Sequence, residues 1–403
     1  MAEATGPLRD VTIIDCTMAL AGPFGTALLA DLGANVIKVE PPQGDMSRSG
    51  APLPPDFANA NAEDAGSVNY GGYFASINRN KRSIVLDFKN DEDREKFLQL
   101  CEQADAIVEN MRSGVMDKLG IGYEVIARRN PKIVYGCIRG FGDPRTGESP
   151  YADWPAYDAV AQAMGGLAQI TGPEGEGGYP CGVSVGDIFP GTLMALGVVS
   201  AVHNSRQTGQ GQFMDIAMYD AMLAFCETII VNYGYPEQRT LQARGRHHPN
   251  LMPFGMYPTS DGTVAIAAPG QNHWEILCQS MGRKDLIDDE RATNTYVRRK
   301  HQVYIEAQIA AWTSSKTKSE IVEILGGEVP CGPVNTAEDI YNDPHVAVRE
   351  MITRFQLPGD NPEVAIVGTP LKFTETKAGF YRLPPNLGEH TEVILDEFNI
   401  PKE

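Results

Sequence analysis

The stretch VTIIDCTMALAGPFGTALLADLGANVIKVE, Val11–Glu40, decides the fold of this chain. Its β-rich opening VTIIDCT predicts a strand, and the break at Gly22-Pro23 starts a predicted helix over Phe24–Leu32. Gly33 then ends that helix, as glycine commonly does at helix C-termini, and NVIKVE predicts a second strand over Asn35–Glu40. Strand, helix and strand in this order are typical of a parallel sheet with right-handed crossovers.

The alternation continues further along the chain. SIVLDF and AIVENM predict strands on either side of a helix over about Asp91–Cys101, and KIVYGCIRGF predicts the next strand. After Ala156 the pattern becomes helical, and a long helix follows from Tyr219. DGTVAIAA and the helices after it predict a smaller α/β unit, and the VPCGPVN turn begins a return to the first body. We therefore predict an α/β protein with two domains.

The composition excludes several classes of protein. The chain has 403 residues, 42% of them apolar and 21% charged, which suits a folded protein. Its net charge of -18 disfavours nucleic acid, which is itself a polyanion. The longest apolar run, about Leu193–Val202, is shorter than the roughly 20 residues that span a bilayer, and the N-terminus lacks an apolar signal core. We expect a cytoplasmic protein with neither nucleic-acid nor membrane partners.

The usual catalytic and metal-binding signatures are missing from the sequence. The seven cysteines are widely spaced and form no CxxC pair, which favours reduced thiols over disulfides or a zinc site. No histidine pair has metal-ligand spacing with a third ligand nearby, so no metal is predicted. GxSxG, HExxH and P-loop motifs are also missing, so the sequence lacks the motifs of hydrolases, zinc proteases and NTPases.

Two features could hold an anionic ligand. The AGPFG turn permits close backbone approach and opens a helix, but it lacks GxGxxG, and an ordinary βα turn explains it equally well. The basic segment NRNKRS, residues 78–83, joins Arg48, Lys89 and Arg139 at the ends of predicted elements, where parallel sheets bind ligands. A solvated charged turn is the alternative interpretation of that segment.

Candidate catalytic groups lie in glycine-rich turns and in one histidine pair. Glu174 and Glu176 belong to TGPEGEGG, and Asp187 belongs to VGDIFPG. Acidic residues in such loops are usually only solvated, but these lie between two helices predicted to flank a cleft. His247 and His248, and also His390, are candidate acid–base groups, and exposed loop histidines are the alternative.

Together these motifs resemble those of class III CoA-transferases, the family of formyl-CoA:oxalate and carnitine CoA-transferases and of alpha-methylacyl-CoA racemases. The resemblance runs in family order from about residue 8 to residue 395, through LAGPFGTALLADLGANVIKVEPPQGDMSR, NRNKRSIVLDFK, VENMRSGVMDKLGIGYE, IVYGCIRGFG, PAYDAVAQAMGGL, TGQGQFMDIAMYDAML, VPCGPVNTAEDIYNDP and LGEHT. It implies a Rossmann-like large domain built from both chain ends, 1–215 and 330–403. It also implies a smaller α/β domain at 216–329 with its linkers, and an interlinked dimer.

The resemblance further implies that CoA, as a substrate and not a tightly bound cofactor, lies against the large domain. The positions that match the family's CoA contacts, with two added arginines, are Leu20, Ala21, Leu86, Lys89, Asn110, Met111, Lys118, Arg139, Arg48 and Arg82. Met111 replaces an aromatic residue, and Pro41 stands where formyl-CoA transferase has an adenine-stacking arginine, so we expect altered adenine packing. Because CoA is anionic, we expect a positive patch on the acidic surface, made of Lys81, Arg82, Lys89, Lys118 and Arg139.

The implied transferase mechanism needs a carboxylate nucleophile, which passes through a mixed anhydride and an enzyme–CoA thioester. The forward count from TG to the family's aspartate ends at Gly175. The carnitine-transferase spacing, counted back from Asp187, ends at Glu176. Glu176 is therefore the predicted nucleophile, although it is one methylene longer than aspartate. Asp187 matches the racemase aspartate, and in a transferase we interpret it as a structural carboxylate at a helix N-terminus.

Two alternatives stay open at this point. Some class III enzymes combine two related chains of which one lacks the nucleophile, so this chain could be a CoA-binding, non-catalytic subunit. A 2-methylacyl-CoA racemase needs a histidine just before Asp158, where this chain has Tyr157. The expected partners are an acyl-CoA, a free organic acid and a second copy or homologous subunit. A dicarboxylic acid could use Arg244, Arg246 or the two histidines.

Overall fold

The computed structural model describes residues 5–55, 68–359 and 361–402. Within these ranges the chain forms two compact units. The first unit is made from the described residues of 1–165, 182–227 and 344–403, and the second from 166–181 and 228–343.

A parallel sheet forms the centre of the first unit. Its six described strands are β1 (Thr12–Cys16), β2 (Asn35–Glu40), β3 (Arg82–Val85), β4 (Ala106–Glu109), β5 (Val134–Arg139) and β6 (Gln212–Ala217). Their order across the sheet is β3-β2-β1-β4-β5-β6, which is the doubly wound order of Rossmann folds. The inner strands are buried along nearly their whole length, which explains their continuous apolar runs. The predicted α/β class with a Rossmann-like body is confirmed.

Helices and two smaller groups of strands complete the described chain. The second unit has an antiparallel sheet of β7 (Phe254–Thr259), β8 (Gly262–Ala267) and β9 (Cys331–Pro333), and the first unit has a hairpin of β10 (Ile352–Gln356) and β11 (Glu363–Val367). The described α-helices, in chain order, are α1 (Ala21–Asp31), α2 (Gly72–Asn78), α3 (Asp91–Glu102), α4 (Val115–Lys118), α5 (Tyr123–Arg129), α6 (Asp158–Met164), α7 (Leu167–Ile170), α8 (Val185–Thr208), α9 (Met218–Phe225), α10 (Glu227–Gly234), α11 (Gln271–Ser280), α12 (Thr295–Lys300), α13 (Gln302–Thr313), α14 (Lys318–Leu325), α15 (Ala337–Tyr341), α16 (Pro344–Val348) and α17 (Thr391–Glu397).

The first helix begins three residues earlier than predicted, at Ala21. Pro23 therefore lies inside the first helical turn, where its missing N–H has no helical partner to lose. Gly33 follows the helix with a φ of +97°, a left-handed conformation that favours glycine, as predicted.

Two glycines allow α1 and α8 to approach closely. A Cβ atom on Gly25 would lie 2.4 Å from the carbonyl oxygen of Gly191, and one on Gly191 would lie 2.3 Å from the carbonyl oxygen of Ala21. Side chains at either position would push the two helices apart. This contact brings the first turn of α8, which carries Asp187, to the same edge of the sheet as the start of α1.

The bounds of the two units differ from those of the predicted domains in three places. Residues 216–227 stay in the first unit because α9 packs against α6 and α8. Residues 166–181 belong to the second unit, where the Gly245 N–H donates to the carbonyl of Gly172. Residues 330–343 also belong there because β9 adds a third strand to β7 and β8.

The C-terminal residues pack in the main core of the first unit. Ile394, Leu395 and Phe398 join a cluster that includes Ile37 and Ile84 from the sheet. The 24-residue helix α8 has a mean hydropathy of 1.6 in its most apolar window, so by length and composition it could cross a membrane. In this fold it packs against α1 and β5, as a core helix does.

Candidate active site

A cavity of about 450 Å³ opens at the carboxyl edge of the parallel sheet. Its lining includes Ala19–Ala21 after β1, Asn110–Ser113 after β4 and Gly140 after β5. The strand order reverses between β1 and β4, so the cavity lies at the topological switch point, where doubly wound sheets bind their ligands.

Asn110 joins the two loops that meet at this switch point. Its Oδ1 accepts a hydrogen bond from the Met18 N–H, and its Nδ2 donates to the Met18 carbonyl, both at 2.8 Å. The next residue, Ala19, has a φ of +66°, which a non-glycine residue adopts only at a conformational cost. The reciprocal bond thus holds the β1–α1 loop in the shape that places Leu20 and Ala21 in the cavity lining.

Arg139, at the end of β5, is held by two buried carboxylates. Its guanidinium donates to Glu109 Oε1 at 2.7 Å and pairs with Asp143 as well. Burial raises the pKa of Glu109, and the charge of Arg139 opposes that rise. Glu109 also accepts a bond from the Met111 N–H at 2.7 Å. The charge of Arg139 is therefore balanced inside the protein, and the group of side chains shapes the loop after β4.

Asp187 is a half-buried carboxylate in the first turn of α8, and it lines the cavity. No described residue donates a hydrogen bond to its side chain. Burial, followed by repulsion from Asp158, raises the pKa of Asp187 to about 6. Asp158 is fixed beside it by the Gly186 N–H at 2.8 Å and by the Gln162 amide. Asp187 is thus ionised at neutral pH but poorly solvated, which suits a nucleophile or a base.

Two cations stand at the cavity without partners. Arg112 and Lys118 both line it and both are exposed, and no described residue forms an ion pair or side-chain hydrogen bond with either. Their charges are therefore available to an anionic ligand, in contrast to that of Arg139.

The sequence model of the family described as CoA-transferase family III matches residues 8–391. The chain belongs to CoA-transferase family III. A succinyl-CoA:mesaconate CoA-transferase of Haloarcula hispanica is 42% identical over 98% of this chain and 97% of that relative. A succinate–glutarate CoA-transferase of Agrobacterium fabrum is 34% identical over 98% and 97%. The enzyme is therefore a class III CoA-transferase, as the motifs predicted, and its reaction class is CoA transfer to organic acids.

A solved structure has the same fold over the same length. The CAIB/BAIF family protein of Brucella suis superposes on the transferase with a TM-score of 0.83 and 32% sequence identity. The match covers 98% of this chain and 100% of that one.

The structure brings together six of the ten residues that the resemblance assigned to CoA. Together with the catalytic candidate Asp187 they line the cavity, and they are Leu20, Ala21, Asn110, Met111, Lys118 and Arg139. The other four lie outside its lining. Leu86 is buried in the main core of the first unit, and Lys89 is exposed with no described ion pair.

Arg48 and Arg82 are engaged elsewhere in the first unit of the transferase. Arg48 forms two hydrogen bonds with Glu40, at 2.8 and 2.6 Å, and its guanidinium lies 4.0 Å from the centre of the Phe74 ring. Arg82 pairs with Glu397 at 2.6 Å and is largely buried. Both side chains hold distant parts of this unit together in the structure.

The five residues that were expected to form a positive patch do not form one, so this prediction is wrong. Lys81 is fully buried, with its Nζ 2.9 Å from Asp15 Oδ2, and Arg82 and Arg139 are paired with carboxylates. Lys89 and Lys118 are exposed, but Lys118 alone of the two lines the cavity. The sequence could not reveal this outcome because the carboxylate partners, apart from Asp143, are far away along the chain.

Glu176 lies in the second unit, outside the cavity lining. Its side chain is exposed, and its carboxylate oxygen is 3.4 Å from the Tyr179 hydroxyl. The loop around it is held by the Gly175 N–H, which donates to the Ala243 carbonyl at 3.1 Å. The nucleophilic role of Glu176 stays a prediction.

Several lining residues were not anticipated from the sequence. Arg112 directly follows the predicted residues Asn110 and Met111 after β4, and this position could have indicated that it lines the cavity. Trp154 lies after β5, directly before the PAYDAVAQAMGGL motif, and no sequence signal pointed to it. Tyr157, which replaces the racemase histidine, is in the lining too, and no histidine of the described chain lines the cavity.

Proposed function

We propose that this transferase is catalytically active on its own, with Asp187 as the nucleophile, and that it moves CoA from succinyl-CoA to a short dicarboxylic acid. The observation that carries the proposal is the position of Asp187, a poorly solvated carboxylate in the lining of the switch-point cavity. The names of the relatives, which include mesaconate and glutarate, support the choice of substrates.

In the proposed reaction, an Asp187 oxygen attacks the thioester carbonyl of the acyl-CoA. The carbon–sulfur bond breaks, which releases CoA thiolate and leaves an acyl–aspartyl anhydride. The thiolate then attacks the aspartyl carbonyl, expels the donor acid as a carboxylate and forms an aspartyl–CoA thioester. The acceptor carboxylate repeats the two steps in reverse order, so that CoA leaves on the new acid and Asp187 is regenerated.

CoA binding in this proposal uses the cavity residues that match the resemblance. Leu20, Ala21 and Met111 would contact the pantetheine arm, and the unpaired Lys118, together with Arg112, would meet its phosphates. No metal ion or tightly bound cofactor enters the reaction.

Mass spectrometry of the chain after incubation with succinyl-CoA tests the proposal. We expect a CoA adduct on the peptide that contains Asp187, and its loss in Asp187→Asn. An adduct on the TGPEGEGG peptide that is lost in Glu176→Gln would identify Glu176 as the nucleophile instead. No adduct on either peptide, together with co-purification of a second homologous chain, would favour the non-catalytic subunit.

We further propose that the enzyme is a cytoplasmic, interlinked homodimer. The family resemblance supports the dimer, and the widely spaced cysteines favour a reducing compartment. The net charge of -18 disfavours nucleic acid as a partner, and we propose no membrane partner either. Light scattering on the purified chain should give twice the chain mass of 43.8 kDa. A mass equal to one chain would contradict the dimer.

A further inference from the structure

Tyr157 is the only tyrosine of the described chain that lines the switch-point cavity, and it shares this lining with Asp187. The residue is 68% exposed, and no described residue forms a hydrogen bond with its hydroxyl. A phenol O–H without a protein partner is a neutral donor that a bound ligand can use. The hydroxyl is therefore available to a substrate that binds beside Asp187.

A direct contact joins the chain at Tyr157 to the chain at Asp187. Asp158, the residue after Tyr157, accepts through its Oδ1 a hydrogen bond from the Gly186 N–H at 2.8 Å, and Gly186 immediately precedes Asp187. The two segments also touch, because a Cβ atom on Gly186 would lie 2.7 Å from the Asp158 carbonyl oxygen. Tyr157 and Asp187 are thus each one residue away from a fixed contact, and both line the same cavity.

The backbone of Tyr157 is held on both sides. Its carbonyl oxygen accepts the N–H groups of Val160 at 3.0 Å and Ala161 at 3.1 Å, which places it at the start of α6. Ala156, just before it, packs so closely on the end of β5 that a Cβ atom on Gly140 would lie 2.4 Å from the Ala156 Cβ atom. A donor on a held backbone needs little further ordering when a substrate binds, as a site that stabilises a transition state requires.

Other polar groups in the lining are already engaged or carry a positive charge. Asn110 uses both ends of its side-chain amide on the β1–α1 loop, and Arg139 is paired with carboxylates. Arg112 and Lys118 are cations, which the proposed function assigns to the CoA phosphates. A cation beside Asp187 would lower the pKa of its carboxyl and weaken it as a nucleophile, whereas a neutral hydroxyl does not carry that cost.

We propose that Tyr157 is a further catalytic residue, whose hydroxyl donates a hydrogen bond to the oxyanion that forms when Asp187 attacks the thioester carbonyl. In this step the carbonyl carbon becomes tetrahedral and an electron pair moves to its oxygen, where the O–H group of Tyr157 meets the new negative charge. The pair then re-forms the carbonyl as the carbon–sulfur bond breaks, and CoA thiolate leaves with the bonding electrons. The phenol proton stays on Tyr157 throughout. The inference rests on the proposed function, because it takes Asp187 as the nucleophile.

Kinetics of the full chain with Tyr157→Phe test the role of the hydroxyl. An oxyanion accepts a stronger hydrogen bond than a neutral carbonyl, so kcat should fall by about 10- to 100-fold. The KM for succinyl-CoA and the affinity for free CoA should stay within about twofold of the wild type, because the ground state loses little. Urea denaturation should give the same free energy of unfolding, since the lost hydroxyl has no described partner. Tyr296→Phe, at a 73% exposed tyrosine of the second unit, is the control and should match the wild type.

Single turnovers followed by mass spectrometry separate this inference from the proposed function. With succinyl-CoA, the CoA adduct should form on the Asp187 peptide in both proteins, and about 10- to 100-fold more slowly in Tyr157→Phe. Equal rates of adduct formation would overturn the role of Tyr157 and leave Asp187 as the nucleophile. A slow rate in Ser113→Ala with a normal rate in Tyr157→Phe would assign the oxyanion to the other hydroxyl of the lining and overturn it as well. If the wild type forms its adduct on a different peptide or forms none, the proposed function fails, and the inference about Tyr157 fails with it.

Discussion

The Nζ atom of Lys38 lies 2.8 Å from Asp45 Oδ2, and neither side chain is exposed to solvent. Lys38 also donates to the Thr17 carbonyl at 2.8 Å, while Asp45 Oδ1 accepts from the Ala19 N–H at 3.3 Å. The pair therefore holds Thr17 and Ala19 of the β1–α1 loop, and Ala19 and the two residues after it line the cavity. Burial opposes the charge on Lys38, but the carboxylates around it, Asp45 first, raise its pKa. A buried ion pair thus shapes one side of the site, although neither of its residues lines the cavity.

Removal of one member of this pair should destabilise the fold strongly. Asp45→Asn leaves the Lys38 charge without its nearest buried partner, and we expect the free energy of unfolding to fall by about 3–5 kcal/mol. Urea denaturation followed by circular dichroism measures the change. Glu237→Gln, in the exposed pair with Arg239, is the control and should cost at most about 1 kcal/mol. A loss for Asp45→Asn as small as the control's would mean that the pair does not hold the loop.

Asp187→Asn should abolish CoA transfer and at the same time stabilise the protein at neutral pH. The folded protein raises the pKa of this carboxyl from 3.8 to about 6, so the folded state is penalised when Asp187 is ionised. Its neutral replacement should add about 1–3 kcal/mol to the free energy of unfolding at pH 7. Denaturation at several pH values should show the gain shrinking as the pH falls from 6 and vanishing below 3.8, where the wild-type group is protonated in both states. A gain independent of pH would contradict this origin.

The pH profile of the enzyme should show an acidic limb set by Asp187. If the ionised carboxylate attacks, kcat/KM should fall as the pH drops through about 6 and should level off above pH 7. Asp158→Asn removes the neighbouring negative charge and should move the limb down by about half a pH unit to one. Glu176→Gln is the matched control, and a limb that moves in this variant would implicate Glu176 instead.

Variants at Lys118 and Arg48 should show that the first residue contributes to acyl-CoA binding and the second to stability. Lys118→Gln removes an unpaired cation from the cavity and should raise the KM for acyl-CoA by about 3- to 10-fold, more at low salt than at high salt.

Arg48→Gln leaves Glu40 buried without its partner and should lower the free energy of unfolding by about 3–5 kcal/mol. At a temperature where this variant is folded, its KM for acyl-CoA should equal that of the wild type. A large rise in that KM would mean that Arg48 contacts CoA after all.

The close approach of α1 and α8 should make Gly25 intolerant of a side chain. Gly25→Ala would place a Cβ atom 2.4 Å from the Gly191 carbonyl oxygen, and we expect a loss of about 1–3 kcal/mol and a lower kcat. The lower kcat follows because the shifted helix carries Asp187. Gly147→Ala is the control, since no atom lies within 4 Å of the Cβ it would add. Thermal unfolding and initial rates of both variants measure the two effects.

Local patterns were sufficient to predict the sheet elements. The sequences of β1 and β2 are apolar over lengths that are typical of buried strands. Gly33, between them, marks the end of α1. The limits of the two units were harder to predict. The residues of β9 look like a turn in the sequence, and only their pairing with Val264 and Ile266 in β8 places them in the second unit.

The sequence by itself determined the class of this protein, because alternating strand and helix patterns are local. Its motifs also resemble those of a known family, and that resemblance implied several cavity positions, such as Asn110 and the turn after β1. Only the tertiary structure decided which charged groups are free. Lys81, Arg48 and Arg82 look alike in the sequence as members of a basic cluster, but each meets a carboxylate from a distant or neighbouring element, whereas Lys118 meets none. The net charge of -18 sums all charged groups, so it does not show which cations are paired and which face the cavity. Burial and long-range pairing, which no local pattern encodes, also separate Asp187 in the cavity from Glu176 outside it.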